Sequence, residues 1–307
     1  MPIYKFGYII KQRREELGYT QEELSDGICS VPTLSRIENG ERMPTKNHFE
    51  MLLQRLGFSE SILYNYVDEH TLFLHEQKFK IRQAIILAHF EEAQKLLENY
   101  KKKMDPESHL ERQFVLLNEI LASPTSYNVQ DRLLRLEEAI RLTCPNYSEE
   151  NVPRVLSYEE ILILNNIAGC YHSMQDYQKA IHILSLIKKH YENGMLNREE
   201  VLRTQPLILY NLSKCLGLAG RYEECVEICN LGIRIARETG RCSLLEKMLY
   251  NKAWSLVKKN SPGDMDQAKE TVKLALYMAT VMDKKESAEH YKRFIEKTFP
   301  YPKLLLH

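Results

Sequence analysis

The side chains that offer chemistry are concentrated in a short polar stretch between positions 30 and 46. A helix over 31–38 that buries Leu34 and Ile37 would present Ser35, Arg36 and Asn39 on its opposite face. The Arg36 guanidinium carries two donors that match guanine O6 and N7. The face therefore predicts contacts with the major groove of duplex DNA, through the candidate set Gln21, Ser30, Val31, Pro32, Thr33, Ser35, Arg36, Asn39, Arg42 and Lys46.

Two helix starts position this face. Thr20 and Glu23 fit a capping box that opens one short helix, and Ser30 with Pro32 behind it fits the start of a second. Asp26-Gly27 supplies the break between them, so the pattern predicts a helix-turn-helix. Its small core is expected from the apolar residues Leu17, Leu24, Ile28, Leu34 and Ile37.

Phosphate contacts complete the predicted interface. Gln21 stands at the start of the first short helix, where side chain and backbone amides meet phosphate oxygens, and Arg42 and Lys46 follow the second helix. Residues 1–65 hold eight Lys/Arg against nine Asp/Glu. Charge alone therefore does not predict DNA binding, and the local pattern carries the prediction.

The order Thr20-Gln21-Glu22-Glu23-Leu24, then Leu34-Ser35-Arg36-Ile37-Glu38-Asn39-Gly40, then Pro44 resembles the phage-repressor-like helix-turn-helix family. The resemblance implies DNA binding. It also implies a structural ion pair between the positions matching here as Arg14 and Glu38. The turn Gly27-Ile28-Cys29-Ser30 is one residue shorter than the common pattern, which leaves the base-facing register open by about one position.

Composition sets the fold class. The 307 residues are 44% hydrophobic with only 12 Gly and 11 Pro, which predicts an all-α protein. We find no cleavable leader and no apolar run of membrane-spanning length, and therefore expect a cytoplasmic protein with no membrane partner. Seven scattered cysteines form no C-x-x-C pair, so we expect no metal or other cofactor, and no catalytic constellation is evident.

A repeated motif organises the remaining chain: a large apolar residue, two polar residues, then a small residue. The small residues Ala93, Ala139, Ala180, Cys225 and Ala268 lie 46, 41, 45 and 43 positions apart. Each motif is expected to open the second helix of a helical pair, because an apolar-periodic helix precedes it. Such pairs bury their faces only by stacking, which predicts an α-solenoid of about five helix pairs.

The stretches from Asn166 to Ala180 and from Tyr210 to Cys225 resemble the tetratricopeptide repeat, with a period longer than its ideal 34 residues. We therefore predict a helix-turn-helix domain over 1–65 and a tetratricopeptide-like domain over 66–307. The last amphipathic helix, Lys285 to Thr298, is expected to cap the repeats.

Asparagines recur at matching places in the first helices of these pairs, although asparagine is a poor residue inside a helix. In tetratricopeptide repeats this place faces the concave groove, where a carboxamide can pair with an extended peptide. The alternative is that asparagine is simply common there. Lys214 and Trp254 are expected to face the groove too, or else to be solvated or part of the core. The candidate peptide site is Asn118, Asn166, Asn211, Lys214, Asn251 and Trp254.

A repressor-like head on a tetratricopeptide domain resembles the cytoplasmic peptide-pheromone receptors of Gram-positive bacteria, the group with the Rgg, PlcR, NprR, PrgX and Rap proteins. The resemblance implies a homodimer that binds a pseudo-palindromic operator and a short signalling peptide. The intact helix-turn-helix argues against an enzymatic role like that of the Rap-type relatives, so we expect the protein not to be an enzyme. Two alternatives stay open: a Rap-like modulator that acts on a protein partner, and a repeat scaffold without a peptide signal.

Overall fold

The computed structural model describes residues 3–58, 69–148, 152, 155–192 and 198–299. Every regular element in these ranges is a helix, which confirms the all-α prediction. The chain divides into two compact units, one of Met1–Met174 with Lys189–Glu200 and one of Gln175–Lys188 with Val201–His307. The predicted domain boundary at residue 65 lies outside the described residues, so it stays a prediction.

The head consists of four short helices: α1 (Ile3–Glu16), α2 (Gln21–Ser25), α3 (Val31–Glu38) and α4 (Lys46–Arg55). The capping box at Thr20 and the cap at Ser30 are both present, and Thr45 caps α4 in the same way. These side-chain oxygens satisfy amides that a helix start leaves unpaired. The helices enclose a core that contains Ile10, Leu24, Leu34, Ile37, Leu52 and Leu56.

In the first unit the head is followed by α5 (Glu69–Ile86), α6 (Phe90–Lys101), α7 (His109–Ala122), α8 (Val129–Arg141) and α9 (Tyr158–Ser173). Each of these helices packs on the next along the chain, and α4 of the head also touches α7. Tyr100 and Phe114 meet at the centre of this stack with ring centroids 5.2 Å apart. The head therefore rests on the first repeats within a single compact unit.

The second unit contains most of α10 (Tyr177–Glu192) and α11 (Arg198–Leu218), then α12 (Tyr222–Thr239), α13 (Leu245–Lys259), α14 (Asp264–Val281) and α15 (Lys285–Thr298). Helices α12 to α15 also pack in chain order, and the terminal helix α15 covers α14 as predicted. Ten helices of the described ranges, α5 to α14, lie between the head and α15. Across the described residues every helix is too short or too polar to span a bilayer.

The small residue of each repeat motif is fully buried, at 0% exposure for Ala93, Ala139, Ala180, Cys225 and Ala268. The expectation that each motif opens a helix is wrong for the second one. Leu136 lies in the second half of α8, because Asn128 caps that helix and starts it seven residues earlier.

Candidate nucleic-acid interface and peptide pocket

Helix α3 presents the predicted face. Leu34, Ile37 and Glu38 are buried, whereas Pro32, Arg36 and Asn39 are exposed and Val31, Thr33 and Ser35 are partly exposed. Ser30 caps the helix and its hydroxyl lies 2.9 Å from that of Thr33. One side of α3 thus fixes the helix in the head, and the other carries hydrogen-bonding groups to the surface.

The loop after α3 keeps two cations beside this face. Gly40 adopts a φ of 72°, and the backbone amides of Glu41 and Arg42 then donate to the Arg36 carbonyl. Glycine is favoured at this left-handed conformation. Arg42 and Lys46 are exposed beyond the turn, where they can meet phosphates that flank a groove.

Behind α3 the predicted pair of Arg14 and Glu38 is confirmed. The Arg14 guanidinium donates through Nε and Nη2 to the two Glu38 carboxylate oxygens at 2.6 and 2.9 Å, and through Nη1 to the Tyr19 carbonyl at 2.8 Å. The hydrogen bond to Glu38 raises the pKa of Arg14. This bidentate pair ties α1 to the C-terminal end of α3.

Gln21 is held by the same cluster rather than directed freely at solvent. Its side-chain amide donates to Glu38 Oε2 at 2.8 Å. A carboxamide carries two N–H donors, so this bond leaves a second N–H of Gln21 that can meet a phosphate oxygen. Gln21 therefore braces α3 through Glu38 without losing the phosphate contact predicted for it.

Gly7 holds α1 against α3, a role the sequence analysis missed. A Cβ at Gly7 would lie 2.0 Å from the Ile37 carbonyl oxygen and 2.9 Å from that of Glu38. Only glycine allows the two backbones to approach so closely.

A second missed residue, Arg55 at the end of α4, inserts into the repeats and is 2% exposed. It donates to the Leu24 and Asp26 carbonyls of the head, and to the Thr143 carbonyl beyond α8 at 2.9 Å. It also lies 3.5 Å from the Glu160 carboxylate of α9. We call Arg55, Thr143, Cys144 and Glu160 the docking cluster.

The turn of the helix-turn-helix lies directly on the repeats beside this cluster. A Cβ at Gly27 would be 2.2 Å from the Thr143 carbonyl oxygen and 2.7 Å from the Pro145 ring, and Gly27 has a φ of 70°. Asn146 donates to Asp26 at 3.4 Å nearby. The short turn containing Gly27 therefore allows the head to dock on the loop after α8.

In the second unit, α11 and α13 enclose a pocket of about 230 Å³. Asn251 donates to the Ser213 hydroxyl at 2.9 Å, and the Trp254 ring packs edge-on to Tyr222 with centroids 5.9 Å apart. Three of the predicted peptide residues line it. We call it the Trp254 pocket, lined by Ser213, Lys214, Gly217, Leu218, Cys225, Tyr250, Asn251, Trp254 and Ser255.

The other three asparagines differ in exposure. Asn118 is 2% exposed and donates to the Phe114 carbonyl one turn earlier at 2.7 Å, so it offers no surface to a ligand. Asn166 is partly exposed and makes the equivalent bond to the Leu162 carbonyl at 2.8 Å. Asn211 is partly exposed in α11, one turn before Lys214.

Two buried thiols of the repeats, Cys170 and Cys215, occupy packing positions. Burial raises the pKa of Cys170 and of Cys215 to about 11 in each case, which keeps both protonated near neutral pH. No group of three or more His, Cys, Asp and Glu side chains in the described ranges converges on a metal-sized site.

Both parts of the chain match known protein families. A helix-turn-helix family profile matches residues 10–63, and the profile of the RNPP family C-terminal domain matches residues 134–297, more than half of the chain. The chain belongs to the RNPP family. It is a peptide-responsive transcription regulator with a helix-turn-helix DNA-binding head, and not an enzyme.

Solved structures resemble this RNPP protein along nearly its whole length. Apo PlcR from Bacillus thuringiensis aligns with a TM-score of 0.60 at 20% identity, covering 94% of this chain and 98% of that one. PlcR from the same organism in complex with the peptide PapR7 and DNA aligns with a TM-score of 0.57 at 21% identity, covering 93% of this chain and 99% of that one. ComR from Streptococcus vestibularis with its cognate signaling peptide XIP aligns with a TM-score of 0.51 at 17% identity, covering 96% of this chain and 99% of that one. At these identities the likeness shows a shared fold. No curated protein matches the chain.

Proposed function

We propose that this RNPP protein acts in the cytoplasm as a homodimer that reads a pseudo-palindromic operator by inserting α3 into the major groove. The observation that carries the proposal is the exposed Arg36 on a helix whose back is fixed by the Arg14–Glu38 pair. A rigid helix costs little ordering entropy on binding, so its donors can discriminate bases.

The side chains around Arg36 form two groups, according to the part of the DNA that each can reach. The first group shares or borders the face of Arg36 and is assigned to base edges: Val31, Pro32, Ser35 and Asn39. A second set is assigned to phosphates, because its members flank the groove-facing surface: Ser30, Thr33, Arg42 and Lys46. Gln21, which also braces Glu38, is assigned to a phosphate through its second amide N–H.

A row of exposed apolar side chains on α14 suits a contact with a second copy of the chain. Leu274 and Tyr277 are each 55% exposed and Val281 is 87% exposed, and their spacing of three and four residues puts them on one helix face. Dimerisation through a two-fold axis would fix the distance between the two heads, and therefore the half-site spacing.

The signalling peptide is proposed to bind in the second unit through Asn211, Lys214, Asn251 and Trp254, while Asn166 of the first unit stays a separate candidate. The Trp254 pocket supports this proposal, since it combines aromatic walls with a carboxamide and a cation in a small concave site. The related structures include PlcR in complex with the peptide PapR7 and DNA, and ComR in complex with its signaling peptide XIP.

The docking cluster provides the link between the repeats and the head. Because Arg55 is buried against Glu160, the head is held to α9 and the loop after α8. A peptide can change DNA binding only if it prefers one arrangement of the chain, and a hundredfold preference corresponds to about 2.7 kcal/mol.

The test is selection of DNA from a random duplex pool at one stated salt concentration. The purified full-length protein is compared with Arg36→Ala and with Arg293→Ala, an exposed arginine on α15 as matched control. We expect wild type and the control to enrich the same two-fold-symmetric site, and Arg36→Ala to lose it. No enrichment by folded wild type, with or without selected peptide, would contradict the proposal.

A further inference from the structure

The Trp254 pocket contains a buried polar group that is poorly satisfied. Ser255 is 0% exposed, and the one group found within hydrogen-bonding reach of its hydroxyl in the described residues is the Cys225 thiol. A thiol is a weak hydrogen-bond partner, so burying the hydroxyl beside it costs free energy. A bound group with a hydrogen-bonding end would remove that cost, whereas a purely apolar one would not.

The surface around the pocket carries several lysines. Lys214 is exposed at its edge, and Lys258 Nζ lies 5.7 Å from the centroid of the Trp254 ring. Lys247 Nζ lies 5.6 Å from the ring of Tyr210, one turn before Lys214 on α11. Among the described residues none of these three lysines forms an ion pair, while nearby acids are already engaged: Glu246 with Lys284 at 2.7 Å and Glu223 with Lys259 at 3.4 Å.

The walls between these groups are largely apolar. Leu218 and the rings of Tyr250 and Trp254 line them, and Gly217 leaves room for Trp254, because a Cβ there would be 3.2 Å from its ring. The volume of about 230 Å³ is more than tenfold the ~10–15 Å³ that a single water molecule needs on this measure. That is room for one side chain or one terminal residue.

Resting on the proposed function, we propose that the Trp254 pocket selects its peptide by a carboxylate, whose oxygens accept from Lys214 and Ser255 while its aliphatic stem packs on Trp254. A carboxylate can accept from both groups at once. A neutral amide would leave the lysines uncompensated, and an aliphatic group would leave the Ser255 hydroxyl with only the weak Cys225 thiol. Both a Glu or Asp side chain and a free C-terminus supply this chemistry.

The experiment is affinity selection of peptides by the full-length protein from two synthetic heptapeptide pools, randomised at every position. One pool ends in a free carboxylate and the other in a carboxamide, and bound peptides are sequenced by mass spectrometry. The variants are Lys214→Gln and, as matched control, Lys292→Gln, an exposed lysine on α15. Circular dichroism verifies that each variant keeps its helical content.

We expect enriched peptides to carry Asp or Glu in both pools if the side chain is bound, or to come only from the free-carboxylate pool if the C-terminus is bound. Either enrichment should disappear in Lys214→Gln and persist in Lys292→Gln. Enrichment of neutral, amidated peptides that is unchanged in Lys214→Gln would overturn the carboxylate assignment and leave the proposed function standing. No enrichment from either pool would overturn both.

Trp254 is the sole tryptophan of the chain, so its fluorescence reports directly on the pocket. For the best enriched peptide we expect a titratable change in emission, with affinity at least about tenfold weaker for Lys214→Gln. Lys214→Arg should restore part of the loss because it keeps the charge. Equal affinities for wild type, Lys214→Gln and Lys214→Arg would contradict the assignment.

Discussion

At the scale of single residues, side chains that point away from DNA decide whether Arg36 can be presented. Gly7 lets the backbones of α1 and α3 touch, and Arg14 neutralises Glu38 at the buried end of the recognition helix. Both act on the position of α3, so their loss should weaken DNA binding through the folded state of the head.

Replacing Gly7 with Ala should destabilise the head by about 1 to 3 kcal/mol, because the new methyl group overlaps the Ile37 carbonyl and forces α1 and α3 apart. Hydrogen exchange of head amides measures the loss. The matched control is Gly169→Ala, whose Cβ would meet nothing within 4 Å in α9. The Gly169→Ala variant should be more stable than wild type by about 0.5 to 1 kcal/mol. Equal effects of both substitutions would show that the close approach is unimportant.

Replacing Glu38 with Gln should cost about 3 to 5 kcal/mol, since it leaves the Arg14 guanidinium buried without its counter-charge. The loss can be read from hydrogen exchange of head amides and from weaker binding to the selected operator. Glu41→Gln, at an exposed position just after α3, is the control and should change stability by less than about 0.5 kcal/mol. A stable Glu38→Gln head would argue against the pair as a stabilising element.

At the scale of elements, the docking cluster joins α4 to α9 through an ion pair that is buried on both sides. Burial alone would raise the pKa of Glu160. It is outweighed by Arg55 and by hydrogen bonds from the Ser157 amide, the Thr143 hydroxyl and the Cys144 thiol, so the pKa of Glu160 lies below its usual value.

This shift gives the docking contact a defined pH dependence. A carboxyl with a depressed pKa in the folded state stabilises it at every pH above the unfolded value of about 4.3, and the stabilisation is lost as the pH falls through the folded value. We expect hydrogen-exchange protection of α4 to fall below about pH 4 in wild type. In the Glu160→Gln variant, α4 should be less protected than in wild type at pH 7, and its protection should change less as the pH falls below 5. Parallel pH profiles of α4 protection in wild type and variant would contradict the assignment.

Local chemistry explains which elements were predictable from sequence. The caps at Thr20 and Ser30 act within three residues, so the starts of α2 and α3 were predicted correctly. The repeat motif at Leu136 does not predict the start of α8, because the Asn128 side chain caps that helix seven residues earlier. Arg55 and Glu160 could not be paired from sequence, since they meet only after the head docks on the repeats. Nor could Asn118 be recognised as buried, because its spacing matches that of the partly exposed asparagines.

At the scale of the whole molecule, operator recognition depends on two copies acting together. Glutamates in place of Tyr277 and Val281 would put charges into the proposed α14 contact. The double substitution should yield a monomer in analytical ultracentrifugation and weaken binding to a two-half-site operator at least about tenfold, with half-site binding unchanged. Leu134→Glu, at an exposed apolar position of α8, is the control. If the double variant still forms a dimer, the dimer interface does not include this face of α14.

The most direct test of the account is the affinity of the full-length protein for its selected operator, measured by fluorescence anisotropy at fixed salt with and without a saturating peptide from the pool selection. We predict at least about a tenfold change in operator affinity, and an equal change in peptide affinity when operator is saturating, because coupling between two binding sites is reciprocal. Identical operator affinities with and without a peptide that demonstrably occupies the Trp254 pocket would contradict the proposed coupling between peptide binding and operator binding.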